Sequence, residues 1–219
     1  MTSRKEILGQ NRPKPGDVEV KKLFLAAAFT VTAAASAFAQ QPTCKMCPGT
    51  YIPSEEVQAY ITRAKDFNIV DQQVRAVDVG KSNLAVGLVY RGKLEKPADL
   101  SVAEHDQVSE LYHIIEGTGT LVLGPEIVGA KRRPADSETV RMLNGPGQNA
   151  ATINNGVTYN LKPGDVVIIP AGTGHWFTKI DDHIVYLMVR IDPDKVTPPK
   201  TEADSKQYLA KPPAGRGNR

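Results

Sequence analysis

The 219-residue chain has few of the residues that mark the common classes of small protein. It contains two cysteines, one tryptophan and four histidines, and aromatic residues make up 6% of it. The apolar run near its start is too short for a comfortable membrane span. Six of its 27 Lys and Arg residues and three of its 24 Asp and Glu residues precede position 40, so the remainder carries 21 of each. This formally neutral remainder gives no indication of a nucleic-acid partner.

The first 39 residues are typical of a leader that is removed on export. Lys21 and Lys22 precede a short apolar run, LFLAAAFTVTAAASAFA, which ends in the small-residue pattern AFA at positions 37–39. This pattern predicts a secretory signal peptide that is cleaved before Gln40. We therefore expect a periplasmic or secreted protein without a stable membrane anchor after cleavage. The alternative is an ordinary N-terminal membrane anchor.

Both cysteines, Cys44 and Cys47, lie directly after the expected cleavage site, in TCKMCPGTYI. In an oxidising compartment we expect them to form a small local disulfide, or to stay as two free thiols. A C-x-x-C pair is also the arrangement of catalytic redox dithiols. Because no βαβ pattern follows the pair, a thiol redox function is the weaker alternative.

The sequence divides into four segments with different patterns. Residues 1–39 are the leader and signal peptide, and residues 40–67 hold the cysteines and one helix. Residues 68–192 form the predicted β-barrel. Residues 193–219, with five prolines and many charges, form an extended tail that wraps the barrel or stays mobile. A chain of this size can bury one sizeable core, so we expect a single folded domain.

One helix is predicted, over residues 54–66. Ser54 can cap it, and Glu55 suits the positive end of its dipole. Apolar residues recur at the spacing i, i+3, i+4, i+7, as Val57, Tyr60, Ile61 and Ala64. We expect this face to pack on a sheet, and we expect no second strong helix.

The rest of the chain is rich in Val, Ile, Thr and Tyr and is interrupted by Gly, Asn and Pro, which is typical of short strands joined by tight turns. Strands are predicted at about 69–79, 83–90, 109–116, 119–124, 138–143, 150–154, 157–161, 166–169, 174–179 and 183–191. Asn155-Gly156 predicts a hairpin between two of them. The connection 125–149 is either a solvated insertion or a functional loop. Such a pattern favours an all-β sandwich or barrel.

Three residues of this region could hold a metal ion. Side chains alternate along the strand at 109–116, so Glu110 and Tyr112 share one face and His113 lies on the other. A buried carboxylate such as Glu110 needs a compensating partner, and a metal ion is one. His105 is five residues earlier, and His175 follows the Gly-rich turn PAGTG. One carboxylate and two imidazoles form the facial triad that leaves positions open on a divalent ion.

The same residues lie in two motifs that resemble those of the cupin superfamily. Residues 164–175, GDVVIIPAGTGH, match the second cupin motif at its fixed positions. The motif departs from the family pattern four residues after His175, where the family often has Asn and this chain has Lys179. Residues 105–117 match the later part of the first motif, but Ala103 stands where the family usually has a further His. The resemblance covers about residues 83–191.

The resemblance implies a small jelly-roll barrel, the double-stranded β-helix. The predicted N-terminal helix and extended C-terminal tail complete this all-β fold. It implies that His105, Glu110 and His175 bind a divalent metal ion, which would be iron, manganese, nickel or zinc. A homodimer is a further expectation of the family. Three alternatives stay open at Ala103. In the first, the metal has three protein ligands and open positions for water or substrate. In the second, another side chain replaces the missing histidine. In the third, the site is a relic that binds metal poorly. The candidates for replacement are Gln107, Tyr112 and His113.

Tyr112 and Phe177 share the faces of the proposed ligands and would line a cavity beside the metal. Tyr112 could donate or accept a proton, although its pKa, ordinarily about 10, would need shifting for work as a base. The alternative for both residues is a place in the core. Trp176 has the opposite parity and should pack between sheets or at an interface. His183, at a strand end, is expected to be structural or solvated.

These observations predict an exported cupin-like protein that is a metal-dependent enzyme, oxygenase-like or a lyase or isomerase, acting on a small molecule. The alternative is a non-catalytic periplasmic protein that binds a small ligand. Iron or manganese would suit dioxygen chemistry, and zinc or nickel would suit Lewis-acid chemistry. No nucleotide-binding loop, Ser-His-Asp arrangement or nucleic-acid patch competes with this interpretation.

Overall fold

The structure, a computed structural model, describes residues 42–44 and 46–211 of the chain. The predicted signal peptide and the end of the tail lie outside the described residues. Two helices are present in the described part, α1 (Ser54–Phe67) and α2 (Glu202–Ala210). The strands are β1 (Asp71–Asp78), β2 (Asn83–Leu94), β3 (Val102–His105), β4 (Ser109–Gly117), β5 (Gly119–Gly124), β6 (Glu126–Val128), β7 (Lys131–Arg132), β8 (Gly147–Ala150), β9 (Thr152–Asn154), β10 (Val157–Leu161), β11 (Val166–Ile169) and β12 (Gly174–Asp192).

Two antiparallel sheets form the barrel, and both of them contain β12. The first sheet has the order β1-β2-β12-β4-β11, and the second has the order β7-β8-β3-β12-β5-β10. Residues 174–179 of β12 pair in the second sheet and residues 180–192 pair in the first. A register shift between Ile180 and His183 marks the change. This arrangement is the double-stranded β-helix that the resemblance implies, and the predicted strands 174–179 and 183–191 are one strand.

The core lies between the two sheets and follows the predicted alternation. On β4, Glu110, Tyr112 and Ile114 are buried, whereas His113 is exposed. The main apolar cluster draws on both sheets, with Tyr112 and Tyr186 from the first and Leu121 and Phe177 from the second. Alternate residues of β4 therefore line the interior, as the period of two requires.

Helix α1 packs on the outer face of the first sheet. Tyr60 and Ile61 contact Val74 and Leu88, so the predicted apolar face is confirmed. The prediction that Ser54 caps the helix is wrong. Ser54 is already the first helical residue, the residue before it is Pro53, and no side chain caps this end. Proline suits the position because its fixed φ is compatible with the extended backbone there.

Two predictions for the middle of the chain are wrong. The predicted strand at 138–143 is a π-helical turn, Thr139–Asn144, in which Val140 is the buried residue, so its mixed pattern lies on no sheet. Asn155 does adopt the left-handed backbone of a tight turn, with φ of 52°. However, β9 pairs with β6 in a separate two-stranded sheet, whereas β10 pairs with β5 in the second sheet of the barrel. The turn therefore joins two different sheets, and no hairpin forms. The connection 125–149 contains β6, β7 and part of β8.

The described part of the tail packs against the barrel. The backbone of Lys200 pairs with Ala76 of β1, which covers part of that edge strand. The expectation of no second helix is wrong, because α2 follows directly. A capping box between Thr201 and Asp204 begins it, and Tyr208 stacks on Tyr60 of α1. Helix α2 has no apolar stripe, which is why its sequence gives little sign of a helix.

Cys44 and Cys47 form a disulfide, one of the two states expected for them. A search of the described residues for a helix that is long and apolar enough to cross a membrane finds none.

Candidate metal centre

Three strands bring His105, Glu110 and His175 together inside the barrel. His105 ends β3, Glu110 is the second residue of β4, and His175 is the second residue of β12. One side-chain ligand atom from each lies within 4.8 Å of the others. The three residues are 3%, 2% and 7% exposed, respectively. These side chains could therefore hold one metal ion, well removed from solvent.

The Glu110 carboxylate lies at the centre of this cluster. Its Oε1 is 3.4 Å from His105 Nε2 and 3.4 Å from Arg190 Nε. Its Oε2 is 3.6 Å from His175 Nε2 and accepts a hydrogen bond of 2.7 Å from the Tyr112 hydroxyl. Burial alone raises the pKa of Glu110, but His105, His175 and Arg190 around the carboxylate hold that pKa well below its usual value. Glu110 is therefore a carboxylate at neutral pH.

His175 presents a bare nitrogen to this carboxylate. Burial lowers the pKa of His175 to about 4, so the ring is neutral at pH 7. Its Nδ1 lies 3.2 Å from the carbonyl oxygen of Thr173, which assigns the proton to Nδ1. The lone pair of Nε2 then faces Glu110 Oε2. Two electron-rich atoms in this position repel each other unless a cation lies between them, so the chemistry of His175 and Glu110 fits a metal ion.

His105 is held differently, by Arg133. Arg133 Nη1 lies 3.3 Å from His105 Nδ1, and because a guanidinium can only donate, Nδ1 accepts. Nε2 then carries the proton and points to Glu110 Oε1. A metal on Nε2 requires the proton on Nδ1, so the hydrogen bond from Arg133 to His105 Nδ1 would be lost. Arg133 keeps two other hydrogen bonds, to Asn149 Oδ1 at 2.8 Å and to the carbonyl oxygen of Gln148 at 2.9 Å.

Ala103 occupies the place that the resemblance gives to a fourth ligand. It pairs directly with His175 across β3 and β12 and lies two residues before His105 on the same strand face. Two candidates for replacement lie elsewhere. Gln107 donates to Asp194 at 3.3 Å, and the exposed His113 points away from the interior. Of the three candidates, Tyr112 is the one that contacts the cluster.

Tyr112 is a proton donor in this structure. Burial, followed by the negative charge of Glu110, raises the pKa of Tyr112 well above its usual value. The shift opposes work as a base and keeps the hydroxyl proton on the bond to Glu110. Phe177 packs in the core, with its ring stacked on Tyr186 at 5.8 Å.

The remaining candidates are outside the cluster. Trp176 donates to the Ser101 hydroxyl at 2.8 Å and packs on the small apolar cluster around Ile153. His183 lies near the surface between Glu116 and Asp182, in agreement with the structural alternative.

Sequence reasoning missed Arg133 and the pair Arg190 and Asp71. Arg190 is 1% exposed and bonds both Asp71 and Glu110. A signal was available, because Arg190 directly follows the apolar run IVYLMV, and the reasoning that singles out Glu110 on its strand applies to it as well. Arg133 lies in the connection 125–149, and no periodicity indicates where its side chain goes.

The fold and the cluster together define a double-stranded β-helix barrel with a two-histidine, one-carboxylate cluster. No family model matches the chain, and no curated protein matches it. Among solved structures, a Bacillus halodurans protein is 17% identical, with 74% of this chain and 98% of that chain covered and a TM-score of 0.39. The DMSP lyase DddQ from Ruegeria pomeroyi is 17% identical over 81% of this chain and 94% of that chain, with a TM-score of 0.37.

A third similar structure is an RmlC-like cupin family protein with a double-stranded β-helix fold from Methanocaldococcus jannaschii. It is 16% identical, covers 58% of this chain and 85% of that chain, and has a TM-score of 0.33. Likenesses this distant carry no argument about a reaction. The strand order of the barrel agrees with the fold that the resemblance implies, and His105, Glu110 and His175 lie together inside it.

Proposed function

We propose that this chain is an exported, metal-dependent enzyme that acts on a small molecule, with His105, Glu110 and His175 as the metal ligands. The observation that carries the proposal is the contact between Glu110 and His175. A buried carboxylate oxygen and a bare imidazole nitrogen face each other at 3.6 Å, and a divalent cation between them relieves their repulsion. Two imidazoles and one carboxylate leave further positions on the ion for water or substrate.

The surrounding residues have separate tasks in this proposal. Thr173 fixes the tautomer of His175 through its carbonyl oxygen. Arg190 holds one oxygen of Glu110, and Tyr112 donates to the other, so the carboxylate has a fixed orientation. Tyr112 is also placed to give a proton to a substrate atom that replaces Glu110 as its partner. A bound iron or manganese ion would supply dioxygen chemistry, and a nickel or zinc ion would supply Lewis-acid chemistry for a lyase or isomerase.

The second candidate function is a non-catalytic protein that binds a small ligand. The observation that favours it is Ala103, which leaves the site one histidine short opposite His175. The burial of the cluster also fits a closed binding site. Saturable binding without turnover would favour this alternative, whereas oxygen consumption or product formation that depends on Glu110 would favour the enzyme.

The first experiment measures metal content by mass spectrometry on the chain expressed without a metal-affinity tag. We expect near-stoichiometric metal in the wild-type protein and none in His175→Ala. His113→Ala is the matched control, because His113 is exposed and should leave the metal in place. If none of the three proteins holds metal after incubation with iron, manganese, nickel and zinc, the proposed enzyme is excluded.

Export is the remaining part of the proposal. It is supported by the leader at residues 1–39 and by the disulfide between Cys44 and Cys47, which suits an oxidising compartment. N-terminal sequencing of protein from the periplasmic fraction of a bacterial host should begin at Gln40. Retention of the intact leader in the membrane fraction would contradict cleavage and favour an anchor.

A further inference from the structure

A cavity of about 470 Å³ lies at the edge of the first sheet, apart from the cluster itself. Its walls come from three parts of the chain. Asp71 and Gln73 belong to the edge strand β1, Met142 and Leu143 belong to the π-helical turn, and Lys200 belongs to the tail. The walls therefore combine charged and amide groups with apolar side chains, which is typical of a site for a small molecule.

Arg190 lies between the wall of this cavity and the proposed metal ligands. The Arg190 guanidinium donates to Asp71 Oδ2 and, at 3.2 Å, to Gln73 Oε1. Its Nε lies 3.4 Å from Glu110 Oε1. Arg190 thus has the cavity wall on one side and the cluster on the other. A group that binds Arg190 from the cavity would be separated from Glu110 by the Arg190 side chain.

Asp71 is the exchangeable partner of Arg190. Its side chain is 23% exposed, whereas that of Glu110 is 2% exposed. The other oxygen of Asp71, Oδ1, has no hydrogen-bond partner among the described residues. Turning Asp71 toward solvent would give this buried oxygen access to water, and an entering carboxylate could then take the place of Asp71 on Arg190. This exchange leaves the number of buried charges unchanged, so it avoids the penalty of an unpaired charge.

The charge balance around the cluster also favours an anion. Among the described residues, the buried or partly buried charged groups near the cluster are Arg91, Arg133, Arg190, Asp71, Glu104 and Glu110. Three guanidinium groups therefore accompany three carboxylates in this part of the barrel. A divalent ion adds two positive charges to this balanced interior. A bound anion offsets part of that excess.

We propose that the cavity admits a small carboxylate, which replaces Asp71 on Arg190 and is thereby held beside the metal ligands. The inference rests on the proposed metal function and names its substrate class. Arg190 is the anchor for the substrate carboxylate, and Asp71 occupies that anchor when no substrate is present. The fork of a guanidinium suits bidentate binding of a carboxylate.

Benzoate and benzamide are suitable probes, because they match in shape and differ in charge. We expect ligand-observed NMR on the full chain to detect benzoate binding and to detect at least about tenfold weaker binding of benzamide. Asp71→Asn removes the competing carboxylate and should tighten benzoate binding about tenfold without changing benzamide binding. Gln73→Glu adds a carboxylate beside Arg190 and should weaken benzoate binding.

Glu138→Gln is the matched control, because Glu138 lines the same cavity and makes no contact with Arg190. It should change benzoate binding by less than about twofold, the effect expected of a distant exposed charge. An equal gain from Glu138→Gln and Asp71→Asn would overturn the proposal. Equal binding of benzoate and benzamide, or no binding of benzoate to any of the proteins, would overturn it too.

A manganese-loaded sample separates this inference from the proposed function. Bound Mn²⁺ should speed the relaxation of the benzoate ring protons, since the carboxylate lies on the side chain that contacts Glu110. If Mn²⁺ binds but the benzoate protons are unaffected, the proposed carboxylate position is wrong and the metal site stands. If benzoate binding depends on Asp71 while no metal binds in any variant, Arg190 is an anion site and the metal function is wrong.

Discussion

Arg190 lies directly opposite Glu110 in the pairing of β12 with β4, and the two side chains meet inside the barrel, with Nε 3.4 Å from Oε1. The candidate metal ligand is therefore already paired with a cation in the absence of metal. This pairing explains how a carboxylate that is 2% exposed persists in an apolar core. It also means that a metal ion at Glu110 shares the carboxylate with Arg190.

Breaking this pair should destabilise the protein strongly. Arg190→Met leaves Glu110 as an uncompensated buried charge, and we expect the free energy of unfolding in urea to fall by about 3 kcal/mol. Replacing both partners, in Glu110→Leu with Arg190→Met, should recover most of that loss, because no buried charge then remains at this pair. Equal losses in the single and double variants would show that the pair is not responsible.

Removing the charge of Arg133 should strengthen metal binding. Arg133→Gln replaces a guanidinium, which can only donate, by an amide whose oxygen can accept, so His105 can carry its proton on Nδ1 and offer Nε2 to the metal. We expect the Kd for Mn²⁺, measured by calorimetry, to fall about fivefold. Arg132→Gln is the control, because Arg132 is exposed, pairs with Asp106 and should leave the Kd within about twofold. An equal effect of both variants would indicate a general charge effect.

Loss of the Tyr112 hydroxyl should separate proton donation from metal binding. Tyr112→Phe removes a hydrogen bond to a charged carboxylate, so the free energy of unfolding should fall by about 2 kcal/mol. The metal content should be unchanged, and any turnover should be lost. Loss of the metal together with turnover would instead identify Tyr112 as the recruited ligand.

The stability of the protein should rise with pH between pH 8 and 10 because of Lys200. Burial lowers the pKa of Lys200 to about 8, where its amine lies against the rings of Tyr60 and Tyr208. In this window the unfolded chain keeps the Lys200 proton and the folded chain loses it, so the unfolded state binds more protons and stability increases with pH. Burial raises the pKa of Tyr60 to about 12, so its opposite effect begins only above about pH 10.

Urea unfolding across this pH range tests the effect. The rise should vanish in Lys200→Met and persist in Lys206→Met, since Lys206 is exposed on α2 and pairs with Glu202. A rise that survives in Lys200→Met would assign the pH dependence to another group.

The proposed ligands could be predicted because local rules identify them. Alternation along β4 places Glu110 and Tyr112 on the buried face, and the Gly-rich turn before His175 belongs to a motif with fixed spacing. Both signals are short-range, and tertiary packing does not override them. The double-stranded β-helix follows from the same motifs together with the many short strands.

The errors arise where long-range contacts decide. The Asn155 turn has the residues of a hairpin, but β9 and β10 find partners in different sheets. Helix α2 depends on its capping box and on the stacking of Tyr208 against Tyr60, and neither contact appears as a periodic pattern. The Asp71–Arg190 contact joins residues far apart in the chain, so no window of sequence contains both.

The 19-residue strand β12 belongs to both sheets, with His175 second from its beginning and Arg190 near its end. Because one unbroken backbone joins the two sheets here, a displacement of one sheet pulls directly on the other. Separation of the two sheets would bend β12 and would move His175 and Arg190 relative to Glu110. The cluster is thus attached to the strand that connects the two sheets. A change of shape in either sheet would alter the positions of His175 and Arg190 relative to Glu110.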